Sequence, residues 1–455
     1  MEIGYLVLLI VIMIVLFAVL KRPMHEVMLV SFAIVAVISG HAKEIIPFLV
    51  KASNNYLVFT IAAFMAFSAI LSETGIIRDF INLIIALVGR VSGGAGYMAL
   101  ATSSIFGALS GTGPGCASAV GVVAIPAMKK TGFKAEHAAA VEMAASALAP
   151  VIPPSGTVTS SFAVLMVAYP ACCTFSQYWV MMWGISVWYI IEQTIVLAIM
   201  IKRHKIKPIP KEDRLPLNVA LREGWKALLM PVIVFLPFLF DSMFSSTLIA
   251  SRLGEAGAST FSGALLVMVP SICTAYVWLI SRKRENRITL QKFFLSFKEC
   301  VSTISPLILM VIGGFAMSEL FNAIGVGERV SALVAGKHIP LWTVAVFVPL
   351  CLGLLGMFLE ANAVIYMLQL PLMTIALAAG VNPILVAALM SVMSTSLGHM
   401  TPPFAPSMYV AMGIAEADFS KTVKCAVVYA FAHYLVTVLI LLGCLPILGI
   451  AHFVS

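Results

Sequence analysis

Oxygen-bearing side chains gather at four places where long apolar runs are interrupted. Ser110 and Thr112 sit in the string Leu109-Ser110-Gly111-Thr112-Gly113-Pro114-Gly115, with Ser118 just beyond it. Ser155 ends Ala149-Pro150-Val151-Ile152-Pro153-Pro154-Ser155. Asn362 lies in Phe358-Leu359-Glu360-Ala361-Asn362-Ala363, and Thr401 in His399-Met400-Thr401-Pro402-Pro403-Phe404. Hydroxyl, amide and freed carbonyl oxygens are hard donors, suited to a small hard cation such as Na⁺. A proline removes a backbone donor and displaces the carbonyl of the preceding turn, so each break also frees backbone oxygens. The helix starts that follow present positive dipole ends, which attract an anion. A second role fits the same side chains: hydroxyls in kinked membrane helices satisfy the backbone groups that the break releases.

Few other residues offer chemistry. Glu142 lies inside the apolar stretch 138–149, and an ionisable group in a membrane helix is a functional candidate by default. It also lies near the start of that stretch, within reach of headgroups. Glu73 and Glu319 each follow a serine at the end of a span and suit helix-end duty. His399, just before a break, is a titratable group. The eight cysteines include no CxxC pair and one adjacent couple, Cys172-Cys173, and read as small apolar membrane residues. GxSxG, HExxH and Walker A patterns are missing, and no GK[ST] follows the glycines at 111–115. These observations argue against an enzyme and against nucleotide binding, so energy must come from a gradient or another subunit.

The elements that position these residues are membrane helices. The chain of 455 residues is 61% hydrophobic and 11% charged, with mean hydropathy +1.05. Soluble domains average about 45–50% apolar and about 25% charged. The net charge of +8 resides in short loops between apolar runs, where topology places basic residues, and does not point to nucleic acid. The opening run, Ile3 to Leu20 followed by Lys21-Arg22, lacks a basic n-region and a cleavage site and is expected as a retained span.

Spans of about 20 apolar residues predict an all-α polytopic bundle. Its first inverted repeat covers 1–201: scaffold helices within 1–73, a re-entrant hairpin at 94–130, a broken helix at 135–170 and a helix at 178–201. A cytoplasmic basic loop fills 202–226. The second repeat covers 227–455: scaffold helices within 227–322, a hairpin at 340–380, a broken helix at 382–415 and a helix at 425–449. Basic residues at Lys21-Arg22, from Lys202 to Arg222 and from Arg282 to Lys298 read as cytoplasmic. Counting crossings then puts both termini outside and gives the two hairpins opposite orientations. Gly111 precedes Pro153 by 42 positions and Ala361 precedes Pro402 by 41, so the interruptions recur at matched offsets. Inverted repeats with discontinuous helices meeting near the midplane are a recurring plan of secondary transporters.

Segments in both halves resemble the large membrane subunit of tripartite ATP-independent periplasmic (TRAP) transporters, the DctM-like group of the ion-transporter superfamily. The resemblance runs through Ser72-Glu73-Thr74-Gly75-Ile76, Val88-Gly89-Arg90-Val91-Ser92-Gly93-Gly94 and Ile125-Pro126-Ala127-Met128-Lys129-Lys130-Thr131-Gly132-Phe133 to Ile152-Pro153-Pro154-Ser155. It continues in Leu355-Gly356-Met357-Phe358-Leu359-Glu360 and Thr401-Pro402-Pro403. It implies an elevator-type carrier of the bacterial or archaeal inner membrane that imports an organic acid, with Na⁺ as coupling ion. It also implies a separate small four-helix membrane subunit and a periplasmic substrate-binding protein.

Carried over by position, one Na⁺ site would use Ser110, Gly111, Thr112 and Pro150, and the other Glu360, Ala361, Asn362 and Thr401. Thr112, Ser155, Asn362 and Thr401 are the candidate substrate contacts. The chain departs from the family at the first tip, where Pro114 stands and no acid follows, and across Ser251–Ala258. The substrate stays open. A stand-alone Na⁺- or H⁺-coupled organic-anion carrier is the alternative. A more remote one is an intramembrane enzyme acting on a lipid-linked substrate.

Overall fold

The computed structural model describes residues 2–74, 76–170, 172–281, 289–334, 339–450 and 452–453. Regular structure among them is helical, apart from a single bridge between Val381 and Phe453. The chain opens with α1 (Glu2–Ile14), α2 (Met24–Ile38), α3 (Ile45–Ser53), α4 (Tyr56–Glu73) and α5 (Ile76–Val88). The first hairpin is α6 (Gly94–Ser110) and α7 (Gly113–Lys130), and the first broken helix is α8 (Ala135–Ala147) and α9 (Gly156–Ala168). There follow α10 (Phe175–His204), α11 (Leu217–Phe244), α12 (Ala250–Ser281), α13 (Leu290–Ile324) and α14 (Val326–Val334). The second hairpin is α15 (Leu341–Gly356) and α16 (Ala361–Ala378). The second broken helix runs α17 (Pro383–Ser391), a π-helical turn Val392–Ser396, α18 (Leu397–Met400) and, past the break, α19 (Pro406–Ala415). It is followed by α20 (Phe419–Leu441).

Six helical stretches among the described residues are long and apolar enough to cross a bilayer, or seven if the pair Ala42–Ser53 and Tyr56–Ser68, bent by 51°, forms one span. Three helices were not expected from hydropathy: α3, α5 and α14. They are 9, 13 and 9 residues long, and polar residues such as Lys51, Arg78 and Glu328 interrupt their apolar runs. Helix α11 starts at Leu217, inside the stretch expected as a loop at 202–226, and α10 continues to His204. The irregular connection is therefore confined to 205–216. Arg222 and Glu223 are exposed on the first turns of α11, which fits a helix projecting beyond the apolar layer. The basic residues Arg282, Lys283, Arg284 and Arg287 lie outside the described residues.

Two groups of helices emerge from the packing. In the first, α2, α3 and α4 pack on α13, while α12 packs on α4 and α11. An ion pair from Lys51 Nζ to Glu319 Oε2, 2.7 Å, ties α3 to α13. Glu319 is thus a partner in a tertiary contact, not a helix-end group; the side chain of Glu73 lies outside the described residues. In the second group α6, α7 and α8 pack mutually, α19 packs on α7 and α8, and α16 packs on α9 and α17. Alanines dominate α8, and every residue from His137 to Ala147 is buried, because small side chains let neighbouring helices approach from all sides.

Glycine allows two matched close approaches in this second group. A Cβ on Gly107 would lie 2.7 Å from Ala149 Cα, and one on Gly356 would lie 2.7 Å from Ser394 O and 3.4 Å from Gly398 Cα. In each half, a hairpin glycine touches the broken helix 42 positions downstream.

Candidate solute and ion site

A cavity of about 270 Å³ lies where both hairpin tips meet both helix breaks. The first tip lines it with Gly111, Thr112, Gly113 and Pro114, and the first break with Pro150, Pro154, Gly156, Thr157 and Ser160. The second tip lines it with Glu360 and Asn362, and the second break with Thr395, His399, Phe404 and Pro406. Its remaining wall comes from the other helix group: Ile61, Phe64 and Met65 of α4, with Leu307 and Val311 of α13. The polar side chains of the lining come from the tips and breaks, while this wall is apolar.

Four helix N-termini converge here, those of α7, α9, α16 and α19. The first four N–H groups of a helix lack intrahelical partners, so each start needs a cap or a ligand. Ser155 Oγ accepts from Val158 N at 3.2 Å and so caps α9. Glu360 caps α16, its carboxylate accepting from Asn362 N at 2.9 Å, Ala363 N at 3.3 Å and Asn362 Nδ2 at 3.1 Å. Helices α7 and α19 have no side-chain cap. Their starts therefore offer uncapped N–H groups and positive dipole ends beside the cavity.

The polar atoms at the breaks divide into satisfied and unsatisfied groups. Pro150 O, freed by the first break, accepts from both Ser155 Oγ and Thr157 Oγ1. Asn362 and Thr395 line the same cavity, and their Oδ1 and Oγ1 atoms are buried without a protein partner. A buried oxygen without a donor costs on the order of 1–3 kcal/mol, so these two oxygens suit a bound cation. The lining residues include no Lys or Arg; Glu360 is their one carboxylate and His399 their one imidazole. His399 Nδ1 lies 3.3 Å from Ser407 Oγ.

The first tip turns through Gly111, at φ +67, which a residue with a side chain adopts poorly. A Cβ on Gly111 would also lie 3.4 Å from Ser155 Cα, so the tip rests on the first break. At Gly113 a Cβ would overlap the His399 ring and Ser407 Oγ, so the same tip also rests on the second break. The second hairpin is fastened to α9. Tyr366 OH donates to Ser160 Oγ at 2.7 Å, Ser161 Oγ donates to Gln369 Oε1 at 2.8 Å, and Gln369 Nε2 donates to Ser161 O at 2.7 Å. Ser396 Oγ donates to Ala147 O at 2.8 Å and joins the two broken helices. The hairpins and broken helices are therefore one hydrogen-bonded body around the cavity.

The residues expected at the site separate accordingly. Gly111, Thr112, Pro150, Glu360 and Asn362 line the cavity. Ser155 is buried just behind it as a cap, and Ala361 is the first residue of α16. The side chain of Ser110 lies outside the described residues. Thr401 does not line the cavity: its hydroxyl donates to Leu397 O at 2.6 Å, and it borders a separate cleft with Gly353 and Tyr434. The backbone at Thr401, which ends α18, is extended. Ser118 is exposed and donates to Gly115 O. Glu142 is buried away from the cavity and accepts from Ser103 Oγ at 3.0 Å. Thr157, Ser160 and Thr395 were missed; each lies within one or two turns of a break, which was the available signal. Among the described residues no cluster of His, Cys, Asp or Glu is arranged to hold a metal.

The family model of the tripartite ATP-independent periplasmic transporter, DctM component, matches residues 3–448. The chain belongs to that family. This DctM component is a large permease of the TRAP type, a transporter subunit and not an enzyme, and a multi-pass protein of the bacterial inner membrane.

It is 25% identical over 402 residues to the C4-dicarboxylate TRAP transporter large permease protein DctM of Vibrio cholerae, covering 85% of this chain and 84% of that one. It is 23% identical to the sialic acid TRAP transporter large permease protein SiaM of the same organism, covering 80% and 79%. With the 2,3-diketo-L-gulonate TRAP transporter large permease protein YiaN of Escherichia coli it shares 22% identity, covering 85% and 84%. Among solved structures, Neisseria gonorrhoeae MtrF superposes with TM-score 0.63 at 12% identity, covering 89% of this chain and 85% of that one. The Alcanivorax borkumensis YdaH transporter superposes with TM-score 0.61 at 12% identity, covering 88% of each. At that identity the likeness shows the fold of the DctM component alone.

Proposed function

We propose that this permease imports a small organic acid driven by a Na⁺ gradient, binding both in the cavity between the hairpin tips and the helix breaks. The observation that carries this reading is the convergence of four helix N-termini on a cavity without Lys or Arg. Such a site attracts a carboxylate through backbone N–H groups and dipole ends, as discontinuous helices of transporters do. The uncapped starts of α7 and α19 would take the carboxylate, with Thr112 and Asn362 as polar contacts and Ser155 behind them as the α9 cap. Related permeases are named for C4-dicarboxylate, sialic acid and 2,3-diketo-L-gulonate, which share a carboxylate.

A cation fits the oxygen-rich side of the cavity. Asn362 Oδ1 and Thr395 Oγ1 are buried and unpartnered, and the Glu360 carboxylate, bonded to Asn362 Nδ2, belongs to the same lining. Na⁺ bound there would supply the positive charge that no side chain of the lining provides. The hairpins and broken helices would move as one elevator body against α4 and α13, whose contributions to the wall are apolar and release no directional bonds on sliding. A small four-helix membrane subunit and a periplasmic binding protein would complete the importer, with the two halves in inverted orientation.

A thermal-unfolding screen of the purified permease tests the ligand classes. Na⁺ should raise the unfolding temperature relative to K⁺, and carboxylic acids should raise it further in Na⁺ while their amides do not. Identical unfolding in Na⁺ and K⁺ up to saturating concentrations would remove the cation from this reading.

A further inference from the structure

By composition Cys172 and Cys173 are small apolar membrane residues, but the fold places them outside the helices. Helix α9 ends at Ala168 and α10 starts at Phe175, so both cysteines lie in the bend that connects the two. Cys172 is exposed, Cys173 is half-buried, and both are free thiols. Their Sγ atoms are 3.8 Å apart, within reach of an S–H···S hydrogen bond.

The bend is held at both ends. Cys172 N donates to Tyr169 O at 3.3 Å. Thr174 N donates to Gln177 Oε1 at 2.9 Å and Gln177 N donates to Thr174 Oγ1 at 3.2 Å, the capping box that opens α10. Neighbouring side chains of an extended chain point to opposite faces, whereas here the two thiols meet. The hydrogen bond from Cys173 also holds the Cys172 thiol below its usual range. That favours the thiolate, which is the reactive form.

Charge places this bend on the side of the membrane away from the cytoplasm. Helix α10 is long and apolar enough to cross a bilayer. Its last turn carries Lys202 and Arg203, with Lys205, Lys207 and Lys211 beyond it. Basic residues mark the cytoplasmic end of a span, so the Thr174 end faces the periplasm, an oxidising compartment in which disulfides form and persist.

We propose that Cys172 and Cys173 are a thiol–disulfide exchange site that cycles between a dithiol and a vicinal disulfide. The co-reactant is an exchangeable disulfide of the periplasm. The Cys172 thiolate attacks one sulfur of that disulfide, forming a mixed disulfide and expelling one thiolate. Cys173, giving its proton to water, then attacks Cys172 Sγ; the Sγ–Sγ bond forms and the second thiolate leaves. The cysteine pair loses two electrons, and the co-reactant disulfide gains them as it becomes two thiols. Neighbouring Cα atoms are about 3.8 Å apart across a trans peptide, short of the roughly 4.4–6.8 Å usual for a disulfide. The closed ring is therefore strained, and strained, exposed disulfides are the readily exchanged ones.

The test involves no solute uptake, so its outcome is separate from that of the proposed function. The full chain in lipid nanodiscs is incubated with oxidised glutathione, free thiols are alkylated after denaturation, and the peptide holding residues 172–173 is weighed. It should lose both alkyl labels, be lighter by two hydrogens, and regain both labels after treatment with reduced glutathione. Cys173→Ser should instead accumulate a glutathione adduct on Cys172, because the thiol that resolves the mixed disulfide is gone. After mild reduction of intact cells, a membrane-impermeant maleimide should label the same peptide of the unaltered chain from outside. Two separate glutathione adducts on the unaltered chain, or two thiols that stay alkylatable, would overturn the proposal. Labelling from the cytoplasmic side alone would overturn it as well.

Discussion

Gly113 touches His399: at this point of α7 there is no room for a Cβ beside the imidazole. The two residues belong to opposite halves of the chain and are the contact through which the first hairpin tip meets the second helix break.

Gly113→Leu should therefore separate tip from break. Overpacking a close contact costs about 1–3 kcal/mol, and displacing a binding group by that amount lowers uptake by about tenfold or more. Gly413→Ala serves as comparison, since a Cβ there meets nothing within 4 Å. Vesicle uptake at equal membrane abundance measures both; equal activity of the two variants would show that the contact does not matter.

Thr395→Val removes a buried oxygen that has no protein partner and keeps the volume. The Na⁺ concentration for half-maximal stabilisation should rise about tenfold, with unfolding in K⁺ unchanged or slightly improved, because an orphaned hydroxyl is lost. An unaltered Na⁺ dependence would take Thr395 out of the ion site.

Gln369→Ala removes both bonds to Ser161, whose hydroxyl keeps Ala387 O and Tyr178 OH as partners, and leaves Ser161 O without the amide that Gln369 donates. The expected loss of stability is on the order of 1–3 kcal/mol, seen as earlier unfolding in detergent or nanodiscs. Lys51→Ala removes the pair with Glu319, but the lysine side chain is 67% exposed. It should cost less than about 1 kcal/mol. A reversed order would mean that the first helix group, not the hairpin body, sets the stability.

Much of the site was legible because its signals are local. Pro-Pro pairs and a glycine run stop helices by backbone chemistry alone, so the breaks at 148–155 and 401–405 and the turn at 111–112 could be placed from the sequence, while the polar Glu360 and Asn362 in an apolar run marked the turn at 357–360. Side-chain direction was not local. Thr401 and Thr395 lie on the same broken helix, yet one faces an outer cleft and the other the cavity, and only packing decides this. The short helices α3, α5 and α14 escaped because a search for long apolar runs passes over short amphipathic ones.

The most direct test is uptake of radiolabelled carboxylic acids into vesicles holding the permease with the small membrane subunit and binding protein proposed to complete it. An inward Na⁺ gradient should drive accumulation of an acid, an equal K⁺ gradient should not, and Thr395→Val should demand more Na⁺ for the same rate. Accumulation that is equal under both gradients, or that favours the neutral amide, would contradict a Na⁺-coupled carboxylate site between the tips and the breaks.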